Sequence, residues 1–131
     1  MKTIYVVLFL AVSFSSSAAS YLCQANVTAY ISNDDRYEEM RYLDKSPKNQ
    51  WVVNAKKGWY EIKEPISAEP WGKCIAEQVM DTKQLVCTQG NLSTFAINLN
   101  SLSFTYIDIF LGNTAVSPSV TSFTGICQPI K

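Results

Sequence analysis

Four cysteines, Cys23, Cys74, Cys87 and Cys127, set the strongest constraint on this chain. They form an even set in a short polypeptide that opens with an export-type leader, the setting in which cysteines pair. None of their spacings is Cys-x-x-Cys, and no histidine is present to complete a mixed zinc site. Structural disulfides are therefore expected, and no metal site. Four cysteines allow three connectivities. Lys73–Val79 and Thr82–Thr88 flank a turn candidate at Met80-Asp81. A two-residue turn there sets Cys74 opposite Cys87, Ala76 opposite Leu85 and Gln78 opposite Lys83, with Ile75, Val79 and Val86 on the other face. A short helix over Lys73–Met80 is the competing assignment. Under the hairpin, Cys23 pairs with Cys127 and ties the first strand to the last.

The leader has the layout of a secretory signal. Met1-Lys2-Thr3 is a short basic start, Ile4–Val12 is an apolar run, and Ser13–Ser20 is small and polar apart from Phe14. The run is too short to span a bilayer, which takes about 20 residues. Cleavage is expected after Ala19 or Ser20, which assigns residues 1–20 to the signal and 21–131 to a single domain. Leu22 before Cys23 disfavours lipid attachment there. No later apolar run suggests membrane insertion of the mature chain, so a secreted or periplasmic location is expected. The formal net charge is zero over 131 residues, and loss of Lys2 leaves a slight acidic excess. That balance argues against nucleic acid and anionic membrane surfaces as partners. The absence of histidine removes imidazole bases and Ser–His triads from consideration.

The dominant hydrophobic period is two, the period of half-buried strands. In Tyr21–Ile31, Ala25, Val27, Ala29 and Ile31 alternate with Asn26, Thr28 and Tyr30. Gln50–Asn54 and Trp59–Ile62 flank Ala55-Lys56-Lys57-Gly58, whose glycine suits a hairpin turn at positive φ. Thr94–Leu99, Leu102–Leu111 and Thr121–Pro129 complete the series, and Lys63–Gly72 and Leu111–Ser119 are proline-containing loops. The expected fold is all-β, a small antiparallel sandwich or barrel of about seven to eight strands. Asn33–Lys45 breaks the period and is either a short capped helix or a charged edge strand.

Few constellations suggest chemistry. Asp34, Asp35, Glu38 and Glu39 form an acidic cluster, and two of Asp34, Glu38 and Glu39 would suffice for a carboxylate-dependent glycosidase. Arg36 and Arg41 among them fit a solvated face better. Trp59, Tyr60, Glu64 and Trp71 bracket a proline-containing segment and form the candidate partner-binding set, since Trp and Tyr are enriched at binding hot spots. Asn26-Val27-Thr28 and Asn91-Leu92-Ser93 are glycosylation sequons to which no glycan is assigned. Residues 21–131 hold no Ser-x-x-Lys pair, the chain has no glycine-rich phosphate loop, and no cofactor is expected.

Four features together carry a resemblance: a strand with Cys23 soon after the leader, the Val52–Trp59 hairpin, Phe95-Ala96-Ile97-Asn98 leading to Ser103-Phe104-Thr105, and the closing Thr124-Gly125-Ile126-Cys127. The chain resembles small, uncharacterised periplasmic or secreted β-rich proteins of Gram-negative bacteria that end in a Gly-x-Cys strand. Asn54 and Asn98 stand where members often carry Asp. The resemblance implies a compartment and a β fold but no activity. The functional expectation is an exported non-enzymatic binding protein with a protein partner, in its sharper form an inhibitor or immunity factor against a cell-wall-directed enzyme or toxin. The alternatives are the glycosidase and a surface component assembling through an exposed edge strand, for which Phe104–Leu111 is the candidate segment.

Overall fold

The computed structural model describes residues 19–33, 38–63, 70–89 and 92–130, with only the backbone of Pro70, Trp71 and Gln89. The expected leader up to residue 18, and Asp34, Asp35, Glu64 and Asn91, lie outside the described residues. Nine strands follow in order: β1 (Ser20–Ser32), β2 (Glu38–Tyr42), β3 (Gln50–Ala55), β4 (Tyr60–Lys63), β5 (Pro70–Val79), β6 (Thr82–Gln89), β7 (Ser93–Asn98), β8 (Ser103–Phe110) and β9 (Ser119–Ile130). Within Asn33–Lys45 the described residues form a strand, Glu38–Tyr42, in place of the helix alternative. The single helical element among the described residues is a 3-10 turn at Pro47–Asn49.

From β3 onward each strand pairs with the next, and β9 returns to β1, running from Ser20 opposite Ile130 to Ser32 opposite Ser119. Eight strands thus close into an up-and-down antiparallel barrel, with β2 as an added strand. Closure leaves few unpaired edges. Strand β1 is long enough to serve two neighbours on one side. Its Tyr21–Gln24 half pairs with β3, and its Val27–Ile31 half pairs with β2. The excursion between β2 and β3 is held by side-chain amides. Gln24 Nε2 donates to the carbonyls of Asp44 and Asn49, and buried Asn49 donates to the Asp44 carboxylate at 2.8 Å. Within the candidate edge segment Phe104–Leu111, Phe104–Asp108 is paired on both sides, to β7 and to β9, so that part is interior to the sheet, while Ile109 and Phe110 pair with β9.

Both disulfides are cross-strand and face inward. Cys23–Cys127 joins β1 to β9 at the barrel's closing seam, and Cys74–Cys87 joins β5 to β6. The β5–β6 register is the one expected from the cysteines and the Met80-Asp81 turn, with Ala76 opposite Leu85 and Gln78 opposite Lys83. No helix forms over Lys73–Met80. Gly58 takes the expected positive φ, +82°.

The interior is filled with side chains, as in small barrels. Trp51 sits at its centre, with ring centroids 5.2 Å from Phe123, 5.5 Å from Tyr106, 5.7 Å from Phe104 and 6.2 Å from Phe95. Val53, Ile62, Leu85, Ile97 and the four cysteines complete the core. Tyr21, Tyr60, Leu99 and Leu102 pack against it from the end where the β3–β4 and β7–β8 turns lie.

One irregularity changes the inside of β1. Between Ala25 and Val27 the pairing with β9 slips by one residue, leaving Asn26 as a bulge. A one-residue slip exchanges the two faces of a strand. Ala25 is fully buried, whereas Ile31 is 54 % exposed, so the expected single face of Ala25, Val27, Ala29 and Ile31 is split. Beyond the bulge Thr28, Tyr30 and Ser32 point inward instead, each opposite an inward residue of β9. Gly125 makes the bulge feasible, since a Cβ there would lie 1.9 Å from the Gln24 carbonyl oxygen.

Candidate functional site

Residues directly opposite on neighbouring strands share a face, so pairing traces rows across the barrel's inside. One row contains Arg41, Thr28, Phe123, Tyr106 and Phe95 on β2, β1, β9, β8 and β7. The next row, two residues farther along each strand, contains Glu39, Tyr30, Thr121, Asp108 and Ser93. Every side chain in that second row is polar. The core beneath is apolar apart from its tyrosines. The inner face therefore changes character in one step, at the end of the barrel away from the Tyr21–Tyr60 plug.

This polar end contains a basin of about 410 Å³ lined by Thr28, Tyr30, Glu39, Arg41, Thr121 and Phe123, with Leu43 at its side. Phe123 is its aromatic floor and connects it to Trp51 below. Arg41 Nε pairs with the Glu39 carboxylate at 2.8 Å, with the Arg41 side chain mostly exposed. Thr28 donates its hydroxyl to the Ser122 carbonyl at 3.0 Å. Along the row, Ser93 donates to Asp108 at 2.5 Å. Both ion-pair partners come from the charged stretch that broke the period-two pattern. Strand pairing with β1 turns alternate residues of that stretch inward.

Of the acidic cluster, Glu38 and Glu39 are among the described residues. Glu38 and Glu39 are consecutive on β2 and point to opposite faces, Glu38 beside outward Ile31 and Glu39 beside inward Tyr30. They cannot flank one glycosidic bond. Glu39 and Asp108 share the inner face, three strands apart along the barrel wall. Among the described residues no group of three or more metal-ligating side chains gathers.

The aromatic candidates lie elsewhere. Tyr60 is half-buried and belongs to the plug at the opposite end. Trp59, in the β3–β4 turn, is 36 % exposed, and the Lys73 ammonium lies over its ring at 5.2 Å. Trp71 is on β5 but its side chain, like Glu64, is outside what is described. Outside the barrel, beside the polar end, Ile31, Glu38, Ile109, Leu111, Pro118 and Val120 line a second groove of about 440 Å³.

Sequence reasoning missed Tyr30, Arg41, Asp108 and Thr121 as site residues. A signal existed for two of them. Asp108 is in phase with inward Phe104 and Tyr106, and Thr121 with Phe123 and Cys127, so both are polar residues at core-facing positions. Tyr30 carried no such signal, because the bulge at Asn26 reverses the phase before it.

The chain has no match among protein-family models, curated proteins or solved structures.

Proposed function

We propose that this chain is an exported, non-enzymatic binding protein that takes its ligand at the polar end of the barrel. The single observation behind this is the inward row Glu39, Tyr30, Thr121, Asp108 and Ser93 directly above a sealed apolar core. Inward polar groups add nothing to hydrophobic burial and suit a ligand that brings complementary groups. The mouths of β-barrels are frequent ligand sites, and the basin's volume falls within the roughly 300–1,000 Å³ of small-molecule pockets. The two disulfides are consistent with an extracellular or periplasmic location. A secretory leader fits beside them, because β1 begins at Ser20, where cleavage after Ala19 would leave it intact.

A protein partner, as an inhibitor or immunity factor would have, is the second reading. It is favoured by Trp59, an exposed ring held by a cation–π contact at the other end of the barrel.

The test is equilibrium dialysis of the disulfide-bonded domain against an extract of exported small molecules and proteins, with mass spectrometry of what accumulates. Enrichment by the wild type that disappears in an Arg41→Ala/Thr121→Val double variant supports the polar end. Enrichment that survives there but fails in Trp71→Ala moves binding to the aromatic segment. No enrichment by the wild type contradicts both.

A further inference from the structure

We infer that the ligand class at the polar end is a neutral saccharide, an inference that rests on the binding role proposed above. The chemistry of the lining decides among classes. A fatty or other apolar ligand would strip water from Glu39 and Arg41 without replacing it, a desolvation cost that no apolar group offsets. A small anion would meet Arg41 but also the Glu39 carboxylate paired to it. A small cation would meet that carboxylate but also Arg41. A ligand that satisfies both signs carries donors and acceptors in equal measure and no net charge. A sugar hydroxyl is such a group, since each donates one hydrogen bond and accepts two.

The geometry supplies what a pyranose ring needs. Carboxylates accept from hydroxyls in charge-assisted bonds, and Glu39 is the carboxylate that lines the basin, beside Arg41. Arg41 engages Glu39 through Nε, so its terminal nitrogens are the donors for a ligand. Thr121 stands between Tyr30 and Asp108 in the row with its hydroxyl unpaired among the described residues. Phe123, one step lower, offers an aromatic face for the C–H side of the ring, buttressed by Trp51 at 5.2 Å and Tyr106 at 5.9 Å between ring centroids. Hydroxyls and carboxylates above an aromatic floor match an amphipathic ring with a polar rim and an apolar face. They match neither an acyl chain nor a point charge.

Saturation-transfer NMR on the intact, disulfide-bonded domain tests the assignment. The probes are cellobiose, maltose and diacetylchitobiose at about 10 mM, above the millimolar Kd of about 4 kcal/mol of binding. Citrate and dodecanoate serve as anionic and apolar controls. The expected result is transfer to ring protons of at least one sugar, with affinity reduced about fivefold or more in Thr121→Val and in Glu39→Gln. Both positions are partly exposed, and an unchanged melting temperature shows that each variant is folded. Transfer to no sugar, or to a sugar equally in wild type and both variants, overturns the saccharide assignment. If citrate or dodecanoate binds in place of sugars and is lost in the same variants, the ligand class is wrong while the polar end stands as the binding site.

Discussion

Asp108 and Thr121 stand opposite each other on β8 and β9, one step beyond the opposed pair Tyr106 and Phe123. On that step the inside of the barrel passes from aromatic rings to a carboxylate and a hydroxyl. The two pairs should respond differently to substitution. Trp51→Ala, which removes the ring that Phe123 and Tyr106 pack against, is expected to cost about 3–5 kcal/mol of unfolding free energy. Thr121→Val is expected to stay within about 0.5 kcal/mol of wild type, since the site is partly exposed and the swap is close to isosteric. Urea unfolding curves of the two variants measure the contrast, and a large loss in Thr121→Val would mean that the polar row is structural.

The two disulfides differ in what they close. Cys23–Cys127 spans 104 residues and locks the seam of the barrel, whereas Cys74–Cys87 spans 13 within one hairpin. Chain entropy assigns about 4.7 kcal/mol to the long loop and about 3 kcal/mol to the short one. Replacing Cys23 and Cys127 together by Ala should therefore destabilise the domain more than replacing Cys74 and Cys87. Denaturant midpoints of the two double variants give the order, and the reverse order would contradict closure by β1 and β9.

Gly125 and Gly58 provide a paired test of close approach against backbone freedom. A Cβ at Gly125 would lie 1.9 Å from the Gln24 carbonyl oxygen and 2.8 Å from Ala25 Cα, both in the backbone of β1. Gly125→Ala must push β1 away at the bulge and is expected to cost about 3 kcal/mol or more. Gly58 has φ +82° and no atom within 4 Å of an added Cβ. Gly58→Ala should cost only the left-handed backbone penalty, about 1–2 kcal/mol. Equal losses in thermal unfolding would remove the bulge from the account of the fold.

Tyr21 gives the domain an alkaline signature. Its phenol is pushed above its usual value of 10.0, first by burial and then by Tyr60 beside it in the plug. The neutral form is therefore favoured in the folded state. In the unfolded chain the group ionises near pH 10, and in the fold only at higher pH. Its contribution to stability is intact below about pH 10 and is lost as pH rises through the folded value. Unfolding midpoints should fall above about pH 10, and less steeply in Tyr21→Phe. Identical slopes would show that Tyr21 ionises alike in both states.

Much of the β5–β6 hairpin could be read from local sequence, because two cysteines and a two-residue turn fix a register within a few residues. The turn at Gly58 was equally local, requiring only a residue that tolerates positive φ. Which face of β1 points inward was not legible past Asn26. A bulge is a one-residue slip against a distant strand, and the glycine that admits it, Gly125, lies about a hundred residues away. The charged stretch around Glu39 and Arg41 looked like a solvated face because both signs alternate there. Its pairing with β1, a long-range choice, turns Glu39 and Arg41 inward and Glu38 outward. The site was hidden for the same reason: alternation reveals which residues share a face but not which face is inside when polar residues take core-facing positions.

The most direct measurement is an amide-resolved NMR map of the isotope-labelled domain, recorded with and without the extract fraction retained in dialysis. A ligand at the polar end predicts shifts clustered at Thr28, Tyr30, Glu39, Arg41, Asp108 and Thr121, with the Tyr21, Tyr60 and Leu102 amides at the opposite end unmoved. Shifts centred on Trp59 and Tyr60, with the Asp108 and Thr121 amides silent, would contradict it.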